Sequence, residues 1–239
     1  MTSPITKWIN RFKSLGRKGS EAKRLVCLAN SRKFSERCVA GKEIAGGTWI
    51  RPVGKGGKGE LSLSDIRFNT GRVPTLLDIV DVPLLNPSPE SFQKENHVND
   101  DRKRWKKVGK LPYEELKGLC DPVAALWING YHSVSGTNDR IPQEIAQREC
   151  TDSLLLIHPD DLLIVVTGEY GGKVKVRGHF AFNSDLYSLT VTDAAAEKQY
   201  RRRGMGEYPI EREICLCISL TLPYDGYCYK LIAGIVEKV

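Results

Sequence analysis

The apolar positions of the last eighty residues gather into five short runs, each broken by turn-forming residues. Residues 162 to 167 (LLIVVT), 173 to 182 (KVKVRGHFAF) and 185 to 192 (DLYSLTVT) are dense in Val, Leu, Ile and aromatics. That pattern predicts a three-strand meander. Asp193 is placed to cap a helix over residues 194 to 203, which is built from good helix formers and stopped by Gly204. Two further runs, 213 to 222 (EICLCISLTL) and 227 to 236 (YCYKLIAGIV), are joined across Pro223, Tyr224, Asp225 and Gly226 and predict two more strands. The same order recurs in rougher form near the start. RLVCLA (24 to 29), ERCVAGKEI (36 to 44) and TWIRPV (48 to 53) predict three strands, Ser62 or Ser64 can open a helical turn, and LLDIVDVPL (76 to 84) predicts a fourth strand. A fifth strand is not legible there.

Three strands, a helix and two strands is the element order of the OB fold, a five-stranded barrel that holds oligonucleotides or oligosaccharides on its second and third strands. The chain therefore reads as mainly β, with two OB-like five-stranded barrels and a partly helical connector. Residues 1 to 22 are a basic leader, expected to be flexible, and 23 to 110 form the first barrel. The connector spans 111 to 150, with helices predicted over 113 to 119 and 142 to 148, and 151 to 239 form the second barrel.

This reading singles out residues for contact with nucleic acid. Between the first two strands, Asn30, Ser31, Arg32 and Lys33 offer an amide, a hydroxyl and two cations, donors that suit phosphate oxygens whatever the base, and Arg37 follows. Trp49 and Arg51 alternate on one face of the third strand. The indole either stacks a base beside the guanidinium or plugs the barrel core. In the second barrel Lys173, Lys175, Arg177 and His179 fall at every second residue of its second strand, which predicts an exposed basic face. Tyr227 and Tyr229 share one face of the last strand, opposite Cys228 and Lys230, as base-stacking groups or as rim packing.

Charge and cysteine usage narrow the picture. The formal net charge is +7, yet residues 1 to 72 hold 16 Lys and Arg against 5 acids, so the positive field belongs to the N-terminal third, where polyanions are drawn. Seven cysteines, an odd number set mostly in apolar runs, argue against a disulfide framework and for a reduced, cytoplasmic chain. Cys215 and Cys217 lack a second pair at zinc-ligand spacing, so no metal and no other cofactor is expected. No run of 18 apolar residues is present, and no membrane partner is expected. For catalysis the one suggestive constellation is Asn96 and His97, flanked by Glu95, Asp100 and Asp101. There is no Walker loop, nucleophile elbow or HExxH. A nucleic-acid-processing enzyme centred on Asn96 and His97 is the alternative to simple binding, and a protein-interaction adaptor is a third reading.

Several ordered stretches, LANSRKFSERCVAGKE, TWIRPVG, GELSLSDI, LLDIVDVPLL, QKENHV, LWINGY, ICLCISL and GYCYKLIAGIV, make the chain from Arg24 to Val236 resemble the dual OB-containing domain family of bacterial proteins. The resemblance implies two OB barrels and a nucleic-acid-binding role, commonly in defence against phage and mobile DNA. It carries over Asn30, Ser31, Lys33, Arg37, Trp49, Arg51, Asn96, His97, Tyr229 and Lys230. The expectation is a cytoplasmic, single-stranded nucleic-acid-binding protein that acts as a sensor or substrate-binding component of a defence system. Its partners would be DNA or RNA and an effector protein.

Overall fold

The computed structural model describes residues 21–33, 36–55, 59–168 and 174–238; residues 1 to 20 of the basic leader lie outside them, and its last two residues open the first strand. Strands β1 (Glu21–Lys33), β2 (Glu36–Glu43), β3 (Trp49–Val53), β4 (Asp78–Pro87) and β5 (Asn96–Asn99) form a closed barrel in the order β1-β2-β3-β5-β4, with β4 returning to β1. β3 and β5 run parallel, and the other pairs are antiparallel. The strand that the sequence left unread is thus β5, only four residues long. β6 (Lys106–Lys110) adds to the outer side of β4. Where a helical turn was expected there is a hydrogen-bonded turn, in which Ser62 N and Oγ donate to Asp65 Oδ2 at 2.8 and 2.7 Å. Leu61, Ile66 and Phe68 from this stretch fill the barrel together with Leu25, Val39, Ile50 and Val82.

The connector carries α1 (Tyr113–Leu116), a 3-10 turn over Lys117–Leu119, β7 (Arg140–Pro142) and α2 (Gln143–Glu149). β8 (Leu154–Ile157) follows, then β9 (Leu162–Gly168), β10 (Val174–Phe182), β11 (Asp185–Val191), α3 (Ala194–Arg203), β12 (Gly206–Ile210), β13 (Ile214–Leu220) and β14 (Tyr227–Glu237). Their sheet runs β12-β9-β10-β11-β14-β13-β8, with β11 and β14 parallel and β7 paired to β14. β12 and β13 are two halves of one interrupted strand. The first half pairs with β9 and the second with β14, and only the exposed Glu211, Arg212 and Glu213 part them, so the circuit curls back on itself as the first barrel does. Asp193 caps α3 as its position predicts, accepting from Ala195 N and Ala196 N at 2.9 and 3.1 Å, while Oδ2 accepts from Ile235 N at 2.9 Å. α3 then buries Tyr200 in the core formed by β9, β10, β11, β13 and β14.

A third apolar cluster lies between the barrels. Val26, Leu28, Ala29 and Ala40 of the first pack on Leu154, Leu156, Cys215, Cys217, Ala233 and Val236 of the second. Each side carries a bulge at this point, with Leu28 the extra residue on β1 and Ala233 the extra residue on β14. The approach is so close that a Cβ on Gly234 would sit 2.1 Å from the Leu28 carbonyl oxygen. Gly234→Ala is therefore expected to lower stability by about 1–3 kcal/mol, as overpacking against a backbone that cannot yield does. Urea denaturation should show no comparable loss for Gly118→Ala, where an added Cβ meets nothing within 4 Å.

Candidate nucleic-acid interface

In an OB barrel the outer faces of the second and third strands receive the ligand. Here the corresponding face of the first barrel is turned inward, onto the second barrel and the connector. Lys42 on β2 is buried, and its Nζ donates to Asp121 Oδ1 at 2.6 Å and to the Leu119 carbonyl at 2.7 Å. Trp49 on β3 is half-buried, and its Nε1 donates to Asp121 Oδ2 at 3.1 Å beneath the Lys42 ammonium. It fills the space between barrels, neither stacked outward nor plugged into the core of its own barrel. Arg51 is 6% exposed; its Nη2 lies 3.1 Å from Glu95 Oε1 and donates to Ser153 Oγ at 3.0 Å and Ser219 Oγ at 3.5 Å.

The hairpin ahead of these strands is partly engaged as well. Asn30 Nδ2 donates to the Pro74 carbonyl at 2.8 Å, and the buried Ser31 hydroxyl donates to the Cys38 carbonyl at 3.4 Å. Arg32 stays exposed, with its backbone N–H on the Thr192 carbonyl at 2.8 Å and its guanidinium 3.8 Å from Glu197. Arg37 is half-buried and bridges Leu61 through its backbone. It also faces Asp193, whose carboxyl is raised by burial against the opposing backbone N–H groups of Ile235, Ala196 and Ala195 and, last, the charge of Arg37. Lys33 ends β1, and its side chain lies outside the described residues.

The exposed basic face expected on β10 is not formed. Lys173 lies outside the described residues. Arg177 is 6% exposed, because a loop of the connector lies across it: the guanidinium donates to the Ser188 carbonyl at 2.7 Å and Ser135 Oγ at 3.1 Å and lies 3.4 Å from Asp139 Oδ2. The loop is anchored along its length. Thr137 bridges Ser188 through the backbone, Asn138 Nδ2 donates to the Leu186 carbonyl at 3.0 Å, and Asp139 accepts from the Ser133 N–H at 2.7 Å. Lys175, half-buried, reaches Ser135 Oγ at 3.4 Å, and the ring of His179 lies 3.4 Å from Ser188 Oγ. Burial, then the charge of Arg177, lowers the His179 pKa from its ordinary value.

On β14 the two tyrosines do share a face, with ring centroids 6.4 Å apart, and the Arg140 guanidinium stacks 3.9 Å from the Tyr227 ring centre. Lys230 on the opposite face is 1% exposed and donates to the Ile128 carbonyl and to Asn129 Oδ1, both at 2.8 Å. Burial pushes its ammonium down to about 7. Arg51, Arg177 and Lys230 are thus internal hydrogen-bonding cations, which corrects their expected place on open ligand faces. Their N–H groups satisfy acceptors brought together by the docking of the barrels and the connector.

Asn96 and His97 do not form one constellation. They are consecutive on β5 and so project to opposite faces. Asn96 is buried with Nδ2 3.4 Å from Gln93 Oε1, while His97 Nδ1 lies 3.0 Å from the Glu95 carbonyl. Among the described residues, no three His, Cys, Asp or Glu side chains are grouped to hold a metal ion. No helix among them is long and apolar enough to cross a membrane.

The exposed cations lie elsewhere. Arg102, Lys103, Arg104, Lys106, Lys107 and Lys110 all face solvent on β6 and the loop before it. Arg102 is held by the buried Asp100 at 2.6 Å, Lys107 by Asp78 at 2.5 Å, and Arg104 donates to the Ser64 carbonyl at 2.6 Å. Trp105, the residue among them that points inward, donates its indole N–H to Asn99 Oδ1 at 2.9 Å and pins the run to the barrel. The pattern of apolar positions marks no site here; the density of Lys and Arg is the signal that the sequence offers. Arg201, Arg202 and Arg203 at the end of α3 form a second exposed group, close to Arg32 through the shared partner Glu197.

Two barrels of this connectivity define an OB-barrel protein of the mainly β class. The family model for the dual OB-containing domain matches residues 23–235, and the chain belongs to that family. Among solved structures, the crystal structure of the tetrameric p202 HIN2 matches over 92% of this chain and 95% of that one, at 6% identity and a TM-score of 0.31. So slight a likeness carries no argument. No curated protein matches the chain.

Proposed function

We propose that this protein binds single-stranded nucleic acid through the cationic surface of residues 102 to 110, and not through the covered faces of its barrels. The observation that carries the reading is the row of six exposed Lys and Arg side chains on and before β6, fixed to a rigid barrel by Trp105. Such a row neutralises phosphates without selecting bases. Membership of a dual OB family supports a nucleic-acid partner, and the Tyr227 and Tyr229 pair beside Arg140 offers aromatic rings to unpaired bases. The bacterial, cytoplasmic and antiphage setting belongs to the same proposal and rests on the family resemblance and on seven cysteines set mostly in apolar runs. A second reading, an effector protein as partner, is favoured by the outer edge of β6, which pairs with no other strand among the described residues.

Anisotropy titrations of labelled single- and double-stranded DNA and RNA across a salt series test the proposal. Lys103, Lys106 and Lys110 changed together to Ala are expected to flatten the slope of log K against log salt by about 2 and to weaken all sequences alike. An unchanged slope would remove this surface from the reading, and equal or tighter binding of duplex would remove the single-strand preference.

A further inference from the structure

We infer that Cys120 and Cys215 form an oxidisable dithiol, a modification site that fastens the connector to the second barrel when a two-electron oxidant of the peroxide class is present. The two sulfurs lie 3.9 Å apart although 95 residues separate them in sequence. A disulfide needs about 2 Å, so side-chain rotation has about 2 Å to close between the 3-10 turn and β13. The pair is asymmetric in the way such chemistry requires. Cys120 ends the 3-10 turn at Lys117–Leu119 and is half-buried, whereas Cys215 on β13 is 0% exposed. An oxidant therefore reaches Cys120 first.

The surroundings favour a thiolate at Cys120. Its pKa is lowered, first by the hydrogen bond from Cys215 and then by the charges of Lys42 and Lys117, while Cys215 is raised by that same bond and by burial. The Cys120 thiolate attacks the peroxide oxygen, the O–O bond breaks, and the released hydroxide takes a proton to leave as water. The resulting sulfenic acid is attacked by the sulfur of Cys215, the S–S bond forms, and the sulfenic oxygen leaves as a second water with the Cys215 proton. The two thiols lose two electrons and the peroxide gains them. Four of the other cysteines offer no such exposed entry. Cys27, Cys150, Cys217 and Cys228 are buried with raised pKa values, and burial is the first cause in each.

The site has a structural consequence. Asp121, the next residue after Cys120, holds Lys42 and Trp49 of the first barrel, and Cys215 lies two residues from Cys217 in the inter-barrel cluster. The crosslink would therefore lock the seam. The test is to treat the full chain with one equivalent of hydrogen peroxide, alkylate the remaining thiols and map the peptides by mass spectrometry. The expected result is one crosslinked peptide pair joining Cys120 to Cys215, lost in Cys120→Ser, with circular dichroism verifying that the variant is folded. Cys120 carried on to sulfinic acid, Cys120 joined to a different cysteine, or Cys120 left as free thiol would each overturn the inference. The Cys120→Ser variant should also bind oligonucleotides like the parent, so this result and the nucleic-acid proposal stand or fall separately.

Discussion

Changing Arg51 to alanine is expected to lower the unfolding free energy by about 3–5 kcal/mol, the cost of leaving one partner of a buried ion pair without the other. Glu95, with a side chain 6% exposed, would retain only the Ser153 hydroxyl, and Ser153 and Ser219 would lose their common donor. A shift in the urea midpoint measures it. If Arg51 were instead an open phosphate contact, stability would stay within about 0.5 kcal/mol of the parent, as for ordinary surface positions, and only the affinity would fall. Arg51→Lys should lie between parent and alanine, because it keeps the charge but not the planar fork.

The second expected result is a stability that rises with pH between about 7 and 9. Lys230 has its ammonium pushed down to about 7 by burial, against 10.5 for the ordinary group. Below 7 both folded and unfolded chains carry the proton, and the folded chain bears the full cost of the buried charge. Between 7 and 10.5 the unfolded chain holds more protons than the folded one, so stability increases with pH. Over the two pH units to 9 the gain is on the order of 2 kcal/mol. Above 9 the buried thiols, whose folded pKa values are raised, act in the opposite sense as the unfolded thiols ionise, and the window closes there. Lys230→Met should flatten the pH profile in denaturant titrations at pH 7, 8 and 9. A variant profile as steep as the parent's would mean that another group sets the slope.

The contrast between Lys103 and Arg51 shows what could be read from the chain in advance. Strands β9, β10, β11, β13 and β14 and helix α3 were legible because each carries its own local signal: alternation, β-branched density, or a cap at Asp193. β5, β6, β7, β8 and β12 were not, because β5, β7 and β8 span only three or four residues, β6 is mostly Lys, and β12 includes Pro209 and stays largely exposed. For the site, the chemistry of each side chain and the face of its strand followed from the sequence. What covers that face did not. Arg51 finds Ser153 and Ser219 at separations of 102 and 168 residues, and Arg177 finds Asp139 at 38, distances over which no periodicity speaks.

The facing bulges at Leu28 and Ala233, with Gly234 held against a carbonyl of the other barrel, also bear on how the chain can be divided. Modules that trade places between proteins usually meet through a polar, forgiving surface. These two meet through fitted backbone and a shared apolar cluster, so a fragment ending near residue 110 would lay bare Trp49, Lys42 and Arg51 without Asp121 or Ser153 to receive them. The pair is expected to unfold as one cooperative unit. A sequence change on either side of the seam is judged by the fit of the other.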